Sequence, residues 1–375
     1  MHILIAALHR PTKPTGVCRH AANLAKCLAD NDKISKITLV LGVWQKDYFE
    51  TAFSLSSEKI KLVLVDIKNS SVYRNMWFLF GLPKIAKQLN SDIVHLSFPL
   101  PFIRSLFSCP VVATIHDLYP YEYPENFGYP NVIFNKLFLQ VCINNSDGLS
   151  CVSKITLKCL KKYFYYIENS KQKTTVVYNY VDFGNVISRV SNSIKNSIEA
   201  PFLLSVAQHR KNKNLDILIQ AYSLLLKQHQ LKDSTQLIIV GSYGPETENI
   251  QSLIQALDLQ KQVILLSSIE DEELCWLYKN CELFVIPSST EGFCFPLVEA
   301  LSFSCKVVCS DIPILREVGS STCHYFDLKH DPVKNLSEGM VSTLSQPSTD
   351  TSFMDSRFLK PNIAQQYLDL YNSIR

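Results

Sequence analysis

The sequence predicts two α/β domains, each a doubly wound, Rossmann-like layer of mostly parallel strands covered by helices on both faces. Short apolar runs alternate with helical segments along nearly the whole chain, and this alternation stops once, in a polar stretch rich in Ser and Asn. At 375 residues the chain is also longer than one hydrophobic core usually supports. We therefore predict an N-terminal domain over 1–182, a linker over 183–200 and a C-terminal domain over 201–356.

The N-terminal domain opens with the apolar run HILIAAL, which is followed by a loop and by VCRHAANLAKCLAD, where apolar residues recur at helical spacing. Six later runs have the composition of buried strands: KITLVLG, IKLVLVDI, DIVHLSF, CPVVATIHD, GLSCVS and TTVVYN. The amphipathic tail within 357–375 is predicted to be a helix that packs back on this domain.

The same alternation restarts after the linker. Five strands are predicted at FLLSVAQ, TQLIIVGS, VILLSS, CELFVIPS and KVVCSD. Helices are predicted between them at LDILIQAYSLLLKQ, ENIQSLIQALD, DEELCWLYKN and PLVEALSF. Ligands of open α/β sheets bind beyond the carboxyl ends of the strands, so we expect a ligand in a central cleft that the two domains face.

Composition excludes several classes of protein. A formal net charge of +3 is too small an excess to predict a nucleic-acid partner. The 12 cysteines include no C-x-x-C pair and no cluster at zinc spacing, so no metal site is expected. The N-terminus lacks the features of a signal peptide, and no run of eighteen apolar residues free of charge appears. We therefore expect a cytoplasmic protein with reduced thiols.

The stretch EGFCFPLVE carries the most informative pattern in the second domain. Glu291 follows a predicted buried strand, and Pro296 suits the first turn of the next helix, which places Glu299 one turn into that helix. A helix N-terminus favours an anion such as a diphosphate, and carboxylates accept hydrogen bonds from sugar hydroxyls. The alternative is that both glutamates only decorate a helix start, where acids are favoured in any case.

The longer stretch VIPSSTEGFCFPLVEALSFSCKVVCSDIPILREV resembles the glycosyl transferases group 1 signature of the family 4 retaining glycosyltransferases. The resemblance implies a GT-B fold in which Glu291 contacts the transferred sugar and Glu299 holds the nucleotide ribose. It implies a donor-binding role for the segment between them: Gly292, Phe293, Cys294, Phe295, Pro296, Leu297 and Val298. Three positions depart from the family pattern, with Cys294 and Ser304 in place of glycines and Lys306 in place of a proline.

Two further segments resemble this family. In SVAQHRKNKNLDILIQAY the resemblance makes Lys213 the diphosphate-binding lysine and Arg210 its partner, although Ala207 replaces a glycine and a solvated basic turn is the alternative. In TIHDLYPYEYPENF it places His116 in the reaction centre, with Asp117 on the acceptor side. This segment is closest to the polysaccharide mannosyltransferase-like members, and it continues to Glu125. Taken alone, a histidine at the end of a buried strand is more often structural.

Weaker matches complete the resemblance. The loop RPTKPTG ends at Gly16, a donor-binding position, with Thr15 in place of a second glycine. CVSKITLKCL contributes Ser153 on the acceptor side, and VVYNYVD contributes Asn179 and Asp182 at the domain junction, although fold roles are equally plausible for these. The aromatic and basic segment 161–167 suits contact with a membrane surface, and the alternative is a helix that packs on the sheet. Asp30-Asn31-Asp32 has a metal-binding form but follows a helix end, which favours a solvated turn.

The resemblance implies a retaining, metal-independent glycosyltransferase without a cofactor, acting in glycan, polysaccharide or glycolipid synthesis. It implies transfer of a hexose from a nucleotide diphosphate sugar, with GDP-mannose favoured over UDP-glucose and UDP-N-acetylglucosamine. The acceptor would be a hydroxyl of a saccharide or lipid-linked substrate, with peripheral contact to the inner face of a membrane. A non-catalytic nucleotide-sugar-binding relative and a nucleotide-sugar epimerase of the same fold are the alternatives.

Overall fold

The computed structural model describes residues 1–53, 55–124, 128–181, 188–198, 201–267, 269–347 and 355–375. The chain forms two compact units, Met1–Asp182 together with Asp355–Arg375, and Phe183–Met354. The motif residues Glu125 and Asp182 lie outside the described residues, as do 183–187 and 199–200 of the predicted linker.

The first unit is built on a seven-stranded parallel sheet. Its strands are β1 His2–Ala6, β2 Lys36–Gly42, β3 Ile60–Val65, β4 Ile93–Leu96, β5 Val111–Ile115, β6 Gly148–Cys151 and β7 Lys173–Val176. They lie in the order β3-β2-β1-β4-β5-β6-β7. Every residue of β1, β4, β5 and β6 is buried, because helices cover both faces and apolar side chains can point either way.

The helices of this unit occupy the connections that the sequence pattern predicts. They are α1 Gly16–Ala29, α2 Lys46–Ala52, α3 Ser71–Met76, α4 Leu82–Gln88, α5 Tyr119–Glu122, α6 Asn131–Asn145 and α7 Lys154–Tyr163. Asp30 caps the end of α1 and its carboxylate pairs with Lys360 at 2.5 Å. The Asp-x-Asp form therefore lies in a turn.

The second unit has a six-stranded parallel sheet. Its helices are α8 Asn192–Ser197, α9 Leu215–Lys227, α10 Thr247–Ala256, α11 Asp271–Asn280, α12 Phe295–Ser302, α13 Pro313–Gly319 and α14 Pro332–Leu344. Its strands are β8 Phe202–Val206, β9 Gln236–Val240, β10 Val263–Leu266, β11 Leu283–Ile286, β12 Val307–Ser310 and β13 His324–Phe326. The order is β10-β9-β8-β11-β12-β13, so the winding direction reverses between β8 and β11.

The helix α15, Lys360–Ile374, belongs to the first unit. It buries one apolar face against that unit, including Ile363, Tyr367, Leu368 and Tyr371. None of the helices within the described residues has the length and apolarity that crossing a bilayer requires.

Candidate functional site

The loops that follow β8 and β11 are tied to one another. They start from adjacent strands at the point where the sheet reverses direction, which is where ligands of such sheets bind. The backbone N–H of Ser289 donates to the carbonyl of Asn212 at 2.9 Å, and the side chain of Asn214 donates to the carbonyl of Pro287 at 2.8 Å. Asn214 adopts the left-handed conformation, with φ 47°, which asparagine tolerates well. The two loops therefore form one surface.

Lys213 and Glu291 meet on this surface. The Nζ atom of Lys213 lies 2.5 Å from Oε1 of Glu291, and the two side chains are 19% and 11% exposed. Burial opposes the charge on Lys213, but the Glu291 carboxylate more than offsets this and holds the lysine pKa above its ordinary value. The ammonium therefore stays charged. The sequence motifs placed these residues in one site, but they gave no indication that the residues pair.

Arg210 lies at the exposed start of the turn Lys211–Lys213. Its positive charge acts on Lys213 and lowers that lysine's pKa slightly against the larger effect of Glu291. Two cationic side chains therefore lie near one another after β8, and their role in diphosphate binding stays a prediction.

Glycines that the motifs did not single out shape the same edge of the sheet. A Cβ atom at Gly241 would lie 1.9 Å from the carbonyl oxygen of Ala207, and one at Gly244 would lie 2.5 Å from that of His209. Only glycine permits this close approach between the ends of β8 and β9. The scarcity of glycine, 11 in the whole chain, was the available signal for these positions.

Cys294 forms the left-handed turn that starts α12. Its φ of 70° and ψ of 72° place it where the family has glycine, and its side chain is buried. Pro296 occupies the first turn of α12, as predicted. Burial, followed by the charge of Glu291, raises the pKa of the Cys294 thiol well above its ordinary value. The thiol is therefore neutral and lies close to the Lys213–Glu291 pair.

The predicted donor-binding segment divides into core residues and residues nearer the surface. Leu297 and Val298 are buried side chains of α12, so only their backbone is available to a ligand. Phe293 is also buried and meets Phe295 edge to face at 5.5 Å. Gly292 precedes them on the loop.

Glu299 is buried within α12 and is held by a tyrosine that the sequence analysis missed. The Oη atom of Tyr278, on α11, donates to Oε2 of Glu299 at 2.8 Å. Burial and the neighbouring carboxylate raise the pKa of Tyr278 well above its ordinary value, so the phenol remains a donor. Tyr278 fixes the direction of the carboxylate predicted to hold a ribose.

His116 follows the end of β5 in the first unit and is partly exposed. Its Nε2 atom lies 2.8 Å from the carbonyl oxygen of Ser97. Because a carbonyl only accepts, Nε2 carries the proton, and Nδ1 of the neutral ring is an acceptor. Burial lowers the pKa of His116, so this neutral form dominates near pH 7.

The other first-unit candidates have structural contacts. Ser153 is fully buried and caps α7, where its hydroxyl accepts from the backbone N–H of Thr156 at 2.9 Å; its acceptor-side role stays a prediction. Asp117 is exposed and accepts from the backbone of Tyr119 at 3.0 Å. Gly16 begins α1 after the capping Thr15, and an added Cβ atom there would meet nothing within 4 Å. The space at this helix start is open.

Comparison with known protein families assigns both units. Residues 14–184 match the model described as Glycosyltransferase Family 4, and residues 189–353 match Glycosyl transferases group 1. The chain belongs to the family 4 glycosyltransferases. Its fold is accordingly GT-B, with two Rossmann-like parallel-sheet units, which confirms the family and fold predictions.

Several relatives of this glycosyltransferase are named for their reactions. The O-antigen chain mannosyltransferase RfbU of Salmonella typhimurium is 25% identical over 277 residues, which are 72% of each chain. The N-acetylgalactosamine-N,N'-diacetylbacillosaminyl-diphospho-undecaprenol 4-alpha-N-acetylgalactosaminyltransferase of Campylobacter jejuni is 32% identical over 181 residues, 48% of this chain and 46% of that protein. The match therefore spans about half of the Campylobacter enzyme.

Among solved structures, HepE of Anabaena in complex with UDP-glucose superimposes over 100% of both chains, with a TM-score of 0.66 and 16% identity. At this identity the likeness concerns the fold alone.

Proposed function

We propose that this glycosyltransferase moves a hexose from a nucleotide diphosphate sugar to an acceptor hydroxyl with retention of configuration and without a metal ion. The Lys213–Glu291 pair is the observation that carries the proposal. It holds a permanent cation beside a carboxylate at the strand ends where the sheet reverses. The Lys213 cation suits a leaving diphosphate, and the Glu291 carboxylate suits the hydroxyls of the sugar.

The chemistry explains why these groups are needed. Transfer passes through a cation-like sugar, while negative charge grows on the departing diphosphate. Arg210 and Lys213 provide positive charge for the diphosphate, and the backbone amides that begin α12 add hydrogen bonds. Glu299, directed by Tyr278, suits the ribose hydroxyls. Nδ1 of His116 is available to accept a hydrogen bond from a hydroxyl of the transferred sugar or of the acceptor substrate.

For the donor, we favour GDP-mannose, because a relative covering 72% of the chain is named as a mannosyltransferase. UDP-glucose and UDP-N-acetylglucosamine are the next candidates. We propose a role in glycan or polysaccharide synthesis, since that relative is named for the O-antigen chain.

We also propose a lipid-linked acceptor and peripheral contact with a membrane, since the Campylobacter relative is named for a diphospho-undecaprenol substrate. In the first unit, α6 exposes Ile133, Phe134 and Leu137, and Tyr165 is 78% exposed just beyond α7. These two helices contain lysines and no acidic residue. Apolar side chains beside lysines suit an anionic lipid surface.

Vesicle flotation tests the membrane proposal. The protein should float with phosphatidylglycerol vesicles, and Phe134→Ser together with Tyr165→Ser should weaken this. Glycosyl transfer to a water-soluble acceptor should not change in that variant. If the wild type fails to float with anionic vesicles, the membrane proposal is wrong.

Incubation with a panel of sugar nucleotides tests the reaction itself. We expect release of GDP from GDP-mannose in the presence of EDTA, and an α-linked product by NMR. Isomerised donor would identify an epimerase, and binding without change a non-catalytic relative. Either outcome would overturn the proposal.

Glu291→Gln should lower turnover by about 100-fold or more, because it removes a charge from the site. Glu282→Gln is the matched control, since Glu282 is exposed at the opposite end of β11 and should keep wild-type turnover. Equal turnover in the two variants would contradict the site.

A further inference from the structure

A chain of buried polar side chains lies beside His116 in the first unit. Its members come from five different elements or loops, and each is at most 3% exposed: Tyr371, His95, Thr114, His20 and Asn179. Thr114 and Asn179 belong to motifs considered above, whereas no functional motif singled out Tyr371, His95 or His20. Buried polar groups are costly unless every one is paired, so their arrangement calls for a physical reason.

The pairing fixes the proton positions at one end of the chain. The side-chain oxygen of Asn179 can only accept, so Nδ1 of His20 carries the proton of their 2.7 Å bond. Burial, followed by the charge of His116, lowers the pKa of His20 well below its ordinary value, so the ring is neutral. Its Nε2 atom then accepts from the hydroxyl of Thr114 at 3.2 Å.

The proton positions at the other end of this hydrogen-bonded series follow from this. With its single proton given to His20, the oxygen of Thr114 must accept from Nε2 of His95 and from the hydroxyl of Ser150, each at 2.8 Å. Burial lowers the pKa of His95 to about 3, so Nδ1 of this neutral ring accepts from the phenol of Tyr371 at 2.7 Å. One set of tautomers therefore satisfies every bond named here, while Nδ2 of the buried Asn179 has no hydrogen-bond partner among the described residues.

The chain meets His116 through His20. Their rings pack edge to face, with centroids 4.8 Å apart and planes at 89°. Thr114 is the next-to-last residue of β5, and His116 follows directly after that strand. Two contacts thus hold the ring of His116: a hydrogen bond from Nε2 to the Ser97 carbonyl, and edge-to-face packing against the ring of His20.

We propose that His20 is a positioning residue for His116, and that Thr114, His95 and Tyr371 hold it in one tautomer and one orientation. This inference rests on the proposed role of His116 in the reaction. It makes α15 part of the machinery of the site, because Tyr371 terminates the chain of bonds. Without His20, the ring of His116 turns about its side-chain bonds and its Nδ1 atom no longer has one direction.

Matched substitutions separate positioning from stability. Thr114→Val removes the hydroxyl at nearly constant volume, whereas Thr114→Ser keeps it. His20→Leu removes the packed ring. His2→Leu is the control, because His2 is also buried and bonded to a threonine, Thr38 at 2.9 Å, but lies at the opposite end of its strand from the site.

We expect His20→Leu and Thr114→Val to lower kcat by about 10- to 100-fold with little change in the donor KM, as for other groups that orient a reacting residue. Thr114→Ser should retain most of the activity, and His2→Leu should lose stability without losing kcat. The kcat and KM values are measured with the sugar nucleotide that the wild-type protein turns over.

A second readout does not need turnover. In protein labelled with ¹⁵N-histidine, the ring signals of His116 should show the Nε2–H tautomer. They should move in His20→Leu and Thr114→Val but not in Thr114→Ser or His2→Leu. Unchanged His116 signals together with unchanged kcat in His20→Leu would overturn the inference. Failure of the wild-type protein to use any sugar nucleotide would overturn the proposed function and leave the tautomer result to be judged separately.

Discussion

At the scale of single residues, two of the four departures from the family's glycines keep the backbone that glycine would adopt. Cys294 has φ 70° and Ser304 has φ 58°. A side chain in this region costs on the order of 1–2 kcal/mol. The turn before α12 and the turn after it are therefore preserved by the surrounding packing rather than by local preference.

Ser304→Gly should stabilise the second unit by about 0.5–1 kcal/mol, because relief of the left-handed strain exceeds the added freedom of the unfolded chain. Ser302→Gly, the same change two residues earlier inside α12, should destabilise it by about 1 kcal/mol. Urea unfolding of both variants measures the difference. Equal signs for the two changes would show that φ at residue 304 costs nothing.

Tyr278→Phe should weaken binding of a nucleoside diphosphate by about 10-fold, because Glu299 loses the donor that directs it, and should cost about 1–2 kcal/mol of stability. Tyr222→Phe provides the control. Tyr222 is equally buried in the same unit and donates to the backbone carbonyl of Thr235 at 2.5 Å. Calorimetric titration should show normal nucleotide binding for Tyr222→Phe alone, and parallel losses in both variants would refute the role of Tyr278.

The sequence pointed to the residues of the candidate site, but it did not indicate which side chains pair with them. Glu291 and Lys213 stood out because they lie in loops that follow strand ends, and Glu299 because it lies one turn into the helix after Glu291. The Lys213–Glu291 pair spans 78 residues of sequence, and Tyr278 reaches Glu299 from another helix. Such pairings depend on which strands are neighbours, and no local pattern contains that order.

At the scale of elements, apolar runs located the strands wherever the strands are buried on both faces. The edge strand β13 was missed because its three residues, His324–Phe326, are too few to form a pattern. The polar linker also gave no indication of the helix α8, whose residues have weak helix preference. Sequence patterns therefore failed to predict a short strand at the edge of a sheet and a helix in a polar segment.

The helix α15 should be essential to the first unit despite its distance in sequence. Leu368 is completely buried on its inner face, so Leu368→Ala should cost about 2–5 kcal/mol through lost burial and the cavity left behind. Asp369→Ala, one residue later on the exposed face, should cost less than about 0.5 kcal/mol. Urea unfolding followed by circular dichroism compares the two, and a small effect of Leu368→Ala would mean that α15 is not part of the folded core.

At the scale of the whole molecule, each unit has a hydrophobic core of its own. The first includes Leu4, Val94 and Leu149, and the second includes Leu203 and Ile239. Separate cores favour separate cooperative transitions. We expect two transitions by scanning calorimetry, with a nucleoside diphosphate raising the one that belongs to the second unit. A ligand shift of the other transition would contradict the assignment of the donor site.

Acid should distinguish the two units as well. Burial lowers the pKa of His95 to about 3 and that of His20 well below 6.5, whereas both rings have pKa values near 6.5 when the chain is unfolded. Between these values the unfolded state binds more protons. The stabilising effect is therefore complete above about pH 6.5 and falls as the pH decreases, by about 1.4 kcal/mol per pH unit for each histidine.

In the second unit, burial lowers the pKa of His209. The second unit should therefore also lose stability as the pH falls, but by less, because fewer buried histidines take up protons when it unfolds. Calorimetry between about pH 6.5 and 5.5, above the range where most carboxylates titrate, should show the transition of the first unit falling faster. His95→Gln should flatten that dependence even as it lowers stability at neutral pH, because the variant has one proton fewer to take up. An unchanged pH slope in His95→Gln would mean that His95 is protonated in the folded protein, and the tautomer chain from Tyr371 to His20 would then be wrong.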